Sequence, residues 1–475
     1  MSKRRLALVA TLAGFAFVAA SPPAPAETRS RAVASACSGR YRVRAGDTLS
    51  AIARRFRTTV PALARANSMH PNAVLLAGRV IRVPAACAKA PVAPRAVRPS
   101  SLASSLSRAV AVPGTIRART GVVVVDLASS TVVYALNPEL PLEPASTEKL
   151  PVALTALQRL GASFRTYTAV FGSGSRSGST WSGDLVLKGF GDPMLTSQGL
   201  NGLARAIRRQ GITAITGGVV GDESYFDAKR TAPGWKASFA KSESPLLSAL
   251  VADRGVLDGR SVDHPALAAA ILFTRALQRA GVSVARAPRV GIAGADAAQL
   301  VRRVSPPLSR MLERMDTWSD NFIAEMLLKQ LGARLSGSGS TAAGAAVVEA
   351  TLTANAIPLG ASRIVDGSGL SSLDQLTARA LAATLETVWH VEGLRRLMST
   401  FAVAGSTGTL RHRLVGVPGH ELVRGKTGTT NSSSALAGFV GSRYAFAIIC
   451  NGSPVNWAAA HALQDRVAQV LLARA

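Results

Sequence analysis

Three short motifs carry the residue types that serine-based acyl transfer requires. Ser146 and Lys149 form an S-x-x-K pair at the start of an apolar-periodic segment, which places the amine one helical turn from the hydroxyl, at about 5 to 6 Å between Cβ atoms. An S-D-N run at 319–321 and a K-T-G run at 426–428 each occur once and follow in that order. An amine beside a hydroxyl, at a helix N-terminus whose amides can stabilise an oxyanion, predicts a serine nucleophile.

The S-x-x-K motif occurs a second time. Ser238 and Lys241 form this second pair, but the aromatic and polar residues around them open no long helix, so we interpret the pair as part of a solvated loop. The order S-x-x-K, S-D-N, K-T-G is complete without it. In that order the three motifs resemble the signature of penicillin-binding proteins and class A β-lactamases.

Each motif residue has a task in acyl transfer from a D-alanyl-D-alanine amide, the substrate that this signature implies. Ser146 is the expected nucleophile, and Lys149 is the expected base if burial and the nearby Lys426 destabilise its ammonium group. Ser319 can pass a proton to the departing amine, and Asn321 can hold the base and the substrate amide. The expected oxyanion donors are the backbone amides of Ser146 and Thr429. The predicted substrate-binding residues are Thr427, Gly428 and Thr429.

The segments around these motifs predict an α/β domain. Residues 122–125 form an apolar run typical of a buried strand, and 132–135 follow a polar turn as its antiparallel partner. The apolar spacing over 150–160 predicts an amphipathic helix that ends at Gly161. The K-T-G run lies between polar and apolar residues that predict a strand near the edge of a sheet.

From about residue 101 to its C-terminus, the chain resembles the D-alanyl-D-alanine carboxypeptidase/endopeptidase family, the low-molecular-mass class C penicillin-binding proteins. The runs that carry this resemblance are P-A-S-T-E-K at 144–149, G-D-P at 191–193, G-D-E-S-Y-F-D at 221–227, S-D-N-F-I-A-E-M at 319–326, V-D-G-S-G-L-S at 365–371 and G-K-T-G-T at 425–429. The resemblance implies a transpeptidase/β-lactamase-like serine domain at 101–165 and 305–475, interrupted by an inserted lobe at 166–304. It also implies a peptidoglycan stem peptide as substrate and β-lactams as covalent inhibitors.

The chain departs from the family in two places. The insertion is shorter than in the best-known members, which predicts that a second, nested β-rich subdomain is missing. Ser372 stands where relatives often carry an arginine proposed to meet the acidic end of the stem peptide, so the resemblance gives no side-chain preference. Carboxypeptidase and endopeptidase action both stay open. We favour an enzyme over an inert wall-binding protein because the motif residues are intact, and over a β-lactamase because the long insertion suits a polymeric substrate.

A small module precedes this domain at 37–87. Residues 41–84 alternate like strands at both ends and show helical spacing between them, which predicts a β-α-α-β order. The opening Y-x-V-x-x-G-D-T-L, the single Asn67 and the closing G-x-x-I-x-V-P resemble a LysM domain. The resemblance implies binding of N-acetylglucosamine-containing glycan, with a LysM fold that no longer binds sugar as the alternative. The implied glycan contacts lie in two loops and include Gly46, Asp47, Thr48 and Leu76.

The N-terminus predicts export. Basic residues at 3–5, an apolar run at 6–20 and small residues at 24–26 are typical of a secretory signal peptide over 1–26, cleaved near Ala26. The expected location is therefore the periplasm or cell wall, with a retained N-terminal anchor as the alternative. The proline-rich stretch 88–100 predicts a linker between the two domains.

The expected location outside the cytoplasm permits disulfide bonds between cysteines, because disulfides persist there. If Tyr41 lies opposite Val83 in an antiparallel pair, Cys37 lies opposite Cys87, and we predict a disulfide between them. Cys450, in an apolar run, is expected to be a small buried residue.

Composition excludes several other classes of protein. The chain has 475 residues, 48% of them hydrophobic, which is enough for two or more buried cores, and it has no series of long apolar runs. The net charge of +28 comes from 55 basic and 27 acidic residues. These basic residues are dispersed and lack nucleic-acid-binding motifs, so nucleic acid is not an expected partner. The six histidines lack the spacing of metal ligands, so no metal is expected. No other cofactor is expected either.

Overall fold

A computed structural model describes residues 38–44, 47–56, 58–70, 73, 75, 77–84 and 101–475. The chain divides into two compact units, with the boundary between Val97 and Arg98. Each unit has a hydrophobic core of its own. None of the helices within the described residues has the length and apolar character needed to cross a bilayer.

The small unit has the predicted β-α-α-β order. Its elements are β1 (Ser38–Arg42), α1 (Leu49–Arg55), α2 (Val60–Arg65) and β2 (Val80–Pro84). Asn67, which follows α2, joins the helix to the second strand. Its Nδ2 donates to the carbonyls of Leu63 at 2.8 Å and Arg82 at 2.7 Å, and its Oδ1 accepts from the Arg82 N–H at 2.7 Å. The asparagine therefore satisfies backbone groups at the helix end and at the sheet edge together.

The predicted strand register is wrong by two residues. Tyr41 lies opposite Ile81, not opposite Val83. A shift by two residues keeps the same side chains on the buried face, so apolar alternation cannot distinguish the two registers. The observed register continues beyond the two strands, where the N–H of Val43 donates to the Arg79 carbonyl at 2.8 Å.

This register removes the argument that placed Cys37 opposite Cys87. Both cysteines lie outside the described residues, as do Gly46 and Leu76 of the predicted glycan site. The predicted signal peptide at 1–26 and the predicted linker lie outside them as well.

The large unit alternates helices and strands. In chain order its strands are β3 (Thr120–Asp126), β4 (Thr131–Leu136), β5 (Tyr167–Ser177), β6 (Thr180–Gly189), β7 (Ala214–Ile215), β8 (Val219–Asp222), β9 (Val256–Leu257), β10 (Arg260–Ser261), β11 (Ser283–Val284), β12 (Arg289–Val290), β13 (Ala298–Val304), β14 (Ala402–Val403), β15 (Val423–Thr429), β16 (Ser433–Val440) and β17 (Tyr444–Asn451). Its α-helices are α3 (Ser101–Ala109), α4 (Lys149–Leu160), α5 (Ser197–Arg209), α6 (Phe239–Ser242), α7 (Pro265–Arg279), α8 (Leu308–Trp318), α9 (Asn321–Leu335), α10 (Thr341–Ala354), α11 (Ala378–His390) and α12 (Trp457–Leu472).

A six-stranded antiparallel sheet supports the catalytic part, in the order β14-β15-β16-β17-β3-β4. The predicted strand pair, β3 with β4, and the predicted helix ending at Gly161 are confirmed. Val122, Val123, Val124 and Val125 are at most 2% exposed, because helices cover both faces of the sheet. One face packs in the core formed with α4, α8, α9 and α11, and the other in the core formed with α3 and α12.

The inserted lobe leaves the catalytic part after α4 and returns before α8. Its seven-stranded sheet is built on the β5–β6 hairpin, and β5 also pairs antiparallel with β13. That pairing sets Tyr167 opposite Val304, so the entry and exit of the lobe are adjacent. Helices α5 and α7 pack on this sheet around a separate apolar core.

Candidate active site

The Ser146 hydroxyl and the Lys149 amine are in direct contact. A short 3-10 turn, Ala145–Glu148, precedes α4, whose first residue is Lys149. This turn sets the Lys149 Nζ 2.8 Å from the Ser146 Oγ. The Lys149 side chain is 0% exposed, although its Nζ contacts the Ser146 hydroxyl. The i, i+3 spacing therefore brings the two groups together as the sequence predicts.

Neutral acceptors surround the Lys149 amine. Its Nζ donates to the Oδ1 of Asn321 at 2.7 Å and to the backbone carbonyl of Ser368 at 2.6 Å. Burial lowers the pKa of Lys149 to about 8, outweighing the opposing attraction of Asp366. A neutral amine in this position can donate to these two oxygens and accept the Ser146 hydroxyl proton with its lone pair.

The second serine and the second lysine of the motifs form a similar pair. Ser319 ends α8 in the left-handed conformation, with φ of 61°. The Nζ of Lys426, on β15, donates to the Ser319 Oγ at 2.8 Å and to the Thr427 carbonyl at 2.8 Å. Burial, and then the nearby charge of Lys149, lower the pKa of Lys426 well below its usual value. The Ser319 hydroxyl, which can relay protons, thus lies between β15 and the pocket.

Asp320, the middle residue of S-D-N, positions its two neighbours. Its carboxylate caps α9 by accepting from the Ile323 N–H at 3.1 Å. The same carboxylate pairs with Arg254 of the inserted lobe at 2.9 Å and with Arg314 at 2.9 Å. We assigned no role to this residue from sequence, although an aspartate directly before an apolar helical segment is a common capping signal.

The Ser368 carbonyl that contacts Lys149 lies in the V-D-G-S-G-L-S loop, which Asp366 organises. The Asp366 carboxylate accepts from the backbone N–H of Ser368 at 3.0 Å and of Gly369 at 2.6 Å. It also accepts from the Trp235 indole of the inserted lobe at 2.8 Å. Glu325 also accepts from the Ser368 N–H, at 2.9 Å, so two carboxyl groups set the direction of the carbonyl that binds the catalytic amine.

Other carboxyl groups are buried beneath this loop. Burial raises the pKa of Glu325 to about 8 and raises the pKa of Glu148 and of Asp374 well above the usual range. Both side-chain oxygens of Glu148 lack a hydrogen-bond partner within the described residues. Burial therefore favours the protonated form of these three groups.

The motif residues border one pocket of about 320 Å³. Its lining residues are Ser146, Glu243, Ser319, Asn321, Leu370, Thr409, Arg413, Thr427, Thr429, Ala435 and His461. Gly428 lies behind the nucleophile, where a Cβ would come within 2.7 Å of the Pro144 carbonyl and 3.1 Å of the Ser146 nitrogen. The fold thus brings the catalytic and K-T-G residues proposed from sequence around a single cleft.

The lining residues that were not expected from sequence include an arginine and a histidine. The Arg413 guanidinium is held against Asp465 of α12 at 2.6 Å. His461, on the same helix, has a pKa lowered by burial and then by Arg413. His412, the residue directly before Arg413, is exposed and does not line the pocket. Neither pocket residue has a distinctive sequence signal, because the C-terminal helix reaches the cleft only through folding.

The second S-x-x-K pair is solvent-exposed, as expected. Lys241 pairs with the exposed Asp263 at 2.7 Å, and Ser238 lies outside the pocket. The same segment nevertheless reaches the site, because the Glu243 carbonyl accepts from the Nδ2 of Asn321 at 2.9 Å. Within the described residues, no three His, Cys, Asp or Glu side chains are arranged to hold a metal ion.

An antiparallel-sheet domain with a buried Ser-Lys pair, a second Ser-Lys pair and an inserted lobe is the architecture of penicillin-binding serine hydrolases. The family model described as the D-Ala-D-Ala carboxypeptidase 3 (S13) family matches residues 102–259 and 254–474, and the chain belongs to that family. Residues 41–84 match the LysM domain model.

Curated relatives agree with this membership. A D-alanyl-D-alanine carboxypeptidase from an Actinomadura species is 29% identical, over 73% of this chain and 80% of the relative. A carboxypeptidase from Mycobacterium tuberculosis is also 29% identical, over 77% of this chain and 83% of the relative. The fold matches the crystal structure of penicillin-binding protein 4 from Haemophilus influenzae, with a TM-score of 0.70, 23% identity, and coverage of 78% of this chain and 99% of that one.

Proposed function

We propose that this protein cleaves the D-alanyl-D-alanine bond of peptidoglycan stem peptides and the D-alanyl amide bond of their cross-links through an acyl-Ser146 intermediate. The observation that carries the proposal is the 2.8 Å contact between the Ser146 Oγ and a fully buried Lys149 amine. Because burial lowers the pKa of Lys149 to about 8, a useful fraction of the amine is neutral near physiological pH.

Acylation follows from this geometry. The neutral Lys149 Nζ takes the proton of Ser146 as the Oγ attacks the substrate carbonyl carbon. The oxyanion that forms is stabilised by the backbone N–H groups of Ser146 and Thr429. Collapse breaks the carbon–nitrogen bond, and the departing amine takes the Ser319 hydroxyl proton, which Lys426 replaces. The proton that Lys149 took from Ser146 then passes to Lys426, so both amines regain the protonation states they had before acylation.

Deacylation reuses the same groups. Lys149 accepts a proton from a water molecule whose oxygen attacks the acyl carbon, and the Ser146 oxygen leaves with a proton returned by the amine. The hydroxyls of Thr427 and Thr429 bind the substrate's terminal carboxylate in the pocket, where the Arg413 guanidinium adds positive charge. The same acyl-enzyme serves carboxypeptidase and endopeptidase action, which differ in the amine that leaves.

Covalent labelling tests the nucleophile. Purified protein incubated with a β-lactam should gain the mass of the opened drug, and peptide mapping should place it on Ser146. Ser146→Ala should abolish the adduct, whereas Ser238→Ala, in the second S-x-x-K pair, should leave it unchanged. An adduct on another residue, or a folded wild-type protein that neither forms an adduct nor consumes the drug, would refute the proposal.

The proposed substrates and the LysM role require separate assays. Digestion of isolated muropeptides should release D-alanine from monomers and convert cross-linked dimers to monomers, and Ser146→Ala should do neither. The full chain should sediment with insoluble peptidoglycan, and chito-oligosaccharides should release it if the LysM domain binds N-acetylglucosamine. Retention that is indifferent to these oligosaccharides would contradict a glycan-binding role.

Export completes the proposal. We expect the exported protein to begin near residue 27, after removal of the signal peptide, and to act in the periplasm or cell wall. N-terminal sequencing of protein recovered from outside the cytoplasm tests this, and an intact N-terminus there would indicate a retained anchor instead.

A further inference from the structure

Helices α5 and α7 of the inserted lobe border a second cavity, of about 530 Å³, that shares no lining residue with the catalytic pocket. Four of its seven lining residues are arginines, namely Arg205, Arg208 and Arg209 from α5 and Arg279 from α7. The others are an asparagine and two alanines. We call this surface the arginine cavity. Basic residues that look dispersed in the sequence thus lie together in one concave site.

Within the described residues, the arginines from α5 have no carboxylate partner. Neither α5 nor α7 contains an aspartate or a glutamate. Arg275, one turn before the cavity on α7, shows the contrast, because it pairs with Asp258 at 2.7 Å. Arg279 instead donates to the Oδ1 of Asn201 at 3.1 Å, which links the two helices at the cavity. Within the described part of the chain, none of the four cavity arginines is therefore neutralised by an ion pair.

The helix dipole does not account for this arrangement. Basic residues in a last helical turn interact favourably with the negative end of the dipole, and Arg208, Arg209 and Arg279 occupy such positions. Arg205 lies a turn earlier, outside the reach of that effect. The dipole also gives no reason for arginines from two helices to line one cavity, where their charges repel one another.

We propose that the arginine cavity binds a polymeric anion that carries repeated phosphate groups. Guanidinium groups bind phosphate oxygens through paired, charge-assisted N–H donors, and a planar fork suits this ligand better than an ammonium does. Four such groups around one cavity match a chain that presents several phosphates in succession. The lobe then attaches the enzyme to an anionic polymer independently of the LysM domain and of the catalytic serine.

The test compares two triple variants of the full chain that lose the same charge from the same lobe. The cavity variant is Arg205→Gln/Arg208→Gln/Arg209→Gln. The control variant carries Arg260→Gln/Arg286→Gln/Arg302→Gln, three exposed arginines that do not line the cavity. The probe is fluorescently labelled inorganic polyphosphate, titrated at several salt concentrations, with inorganic phosphate and polyglutamate as competitors. Acylation by a β-lactam should stay at the wild-type rate in both variants, which shows that each has folded.

The cavity variant should bind polyphosphate at least about 10-fold more weakly than wild type at low salt, and its plot of log affinity against log salt should be shallower by about three. The control variant should lose less than about 3-fold. Equal losses in the two variants, or no binding by wild type, would overturn the proposal in favour of diffuse surface charge. Competition by inorganic phosphate at equal molar concentration would show a site for free phosphate, and equal competition by polyglutamate would show that phosphate is not selected, so either result also overturns it.

Discussion

Replacing the catalytic lysine with methionine should make the stability of the large unit less dependent on pH. Lys149 is wholly buried and its pKa falls from the ordinary value of 10.5 to about 8 on folding. Between these two values the unfolded chain binds more protons than the folded one, so wild-type stability rises with pH. Below about pH 8 the Lys149 amine is protonated in both the folded and the unfolded chain. Burial of this ammonium group then destabilises the folded state by about 3 kcal/mol. Lys149→Met removes this cost, which vanishes above the unfolded pKa.

The pH dependence separates this effect from the other consequences of the substitution. Lys149→Met also removes hydrogen bonds to Ser146, Asn321 and Ser368, but that loss acts at every pH. Relative to wild type, the variant should therefore lose about 2 kcal/mol of stability between pH 7 and pH 10, whatever its starting value. The lowered pKa of Lys426, due in part to Lys149, acts in the same direction because the variant removes the repulsion.

Urea unfolding followed by tryptophan fluorescence measures this difference. All five tryptophans of the chain lie after the boundary between the two units, so the signal reports the large unit alone. Lys329→Met is the matched control, because Lys329 is also 0% exposed but forms an ion pair with Asp227. It should destabilise the protein at neutral pH by about 1 to 3 kcal/mol, since it leaves a carboxylate unpaired. If the difference between wild type and Lys149→Met stays constant from pH 7 to pH 10, burial does not lower the lysine pKa and the reasoning is refuted.

Four further substitutions test contacts in the catalytic site and in the LysM unit. Asp366→Asn should slow β-lactam acylation about 10- to 100-fold, because the loop carrying the lysine-binding carbonyl loses its charged acceptor, and Trp235→Phe, which removes one hydrogen bond to that acceptor, should slow it less. Gly428→Ala should reduce acylation by about 100-fold or more, since its Cβ would lie 2.7 Å from the Pro144 carbonyl oxygen and displace the nucleophile. Asn67→Ala should cost the LysM unit about 2 to 3 kcal/mol, measured by hydrogen exchange of its amides. Wild-type acylation rates in the first three variants, or unchanged exchange in the last, would contradict these contacts.

The sequence predicted those parts of the site that depend on local spacing. Ser146 and Lys149 meet because an i, i+3 separation at a helix start fixes their distance. The strand at 122–125 and its partner were recognisable because a run of β-branched residues followed by a polar turn has few other structural solutions. Most of the side chains that the sequence predicted at the cleft belong to motifs with such fixed local spacing.

The sequence could not predict groups that reach the site only through tertiary packing. The Ser368 carbonyl contacts an amine 219 positions away, and a backbone carbonyl has no signature in a sequence. His461 reaches the pocket from α12, and Arg413 is held there by its ion pair with Asp465 of the same helix. The LysM register failed for a different reason, since a shift of two residues leaves the buried face of β1 unchanged.

The inserted lobe belongs to the catalytic site although it has an apolar core of its own. Its Glu243 carbonyl accepts from Asn321 at 2.9 Å, and its Arg254 pairs with Asp320 at 2.9 Å. The indole of Trp235 reaches the V-D-G-S-G-L-S loop that binds the catalytic amine. These polar contacts help to orient Asp320 and Asn321 of the S-D-N motif. Displacement of the lobe would therefore alter the position of Asn321 and of the lysine it holds.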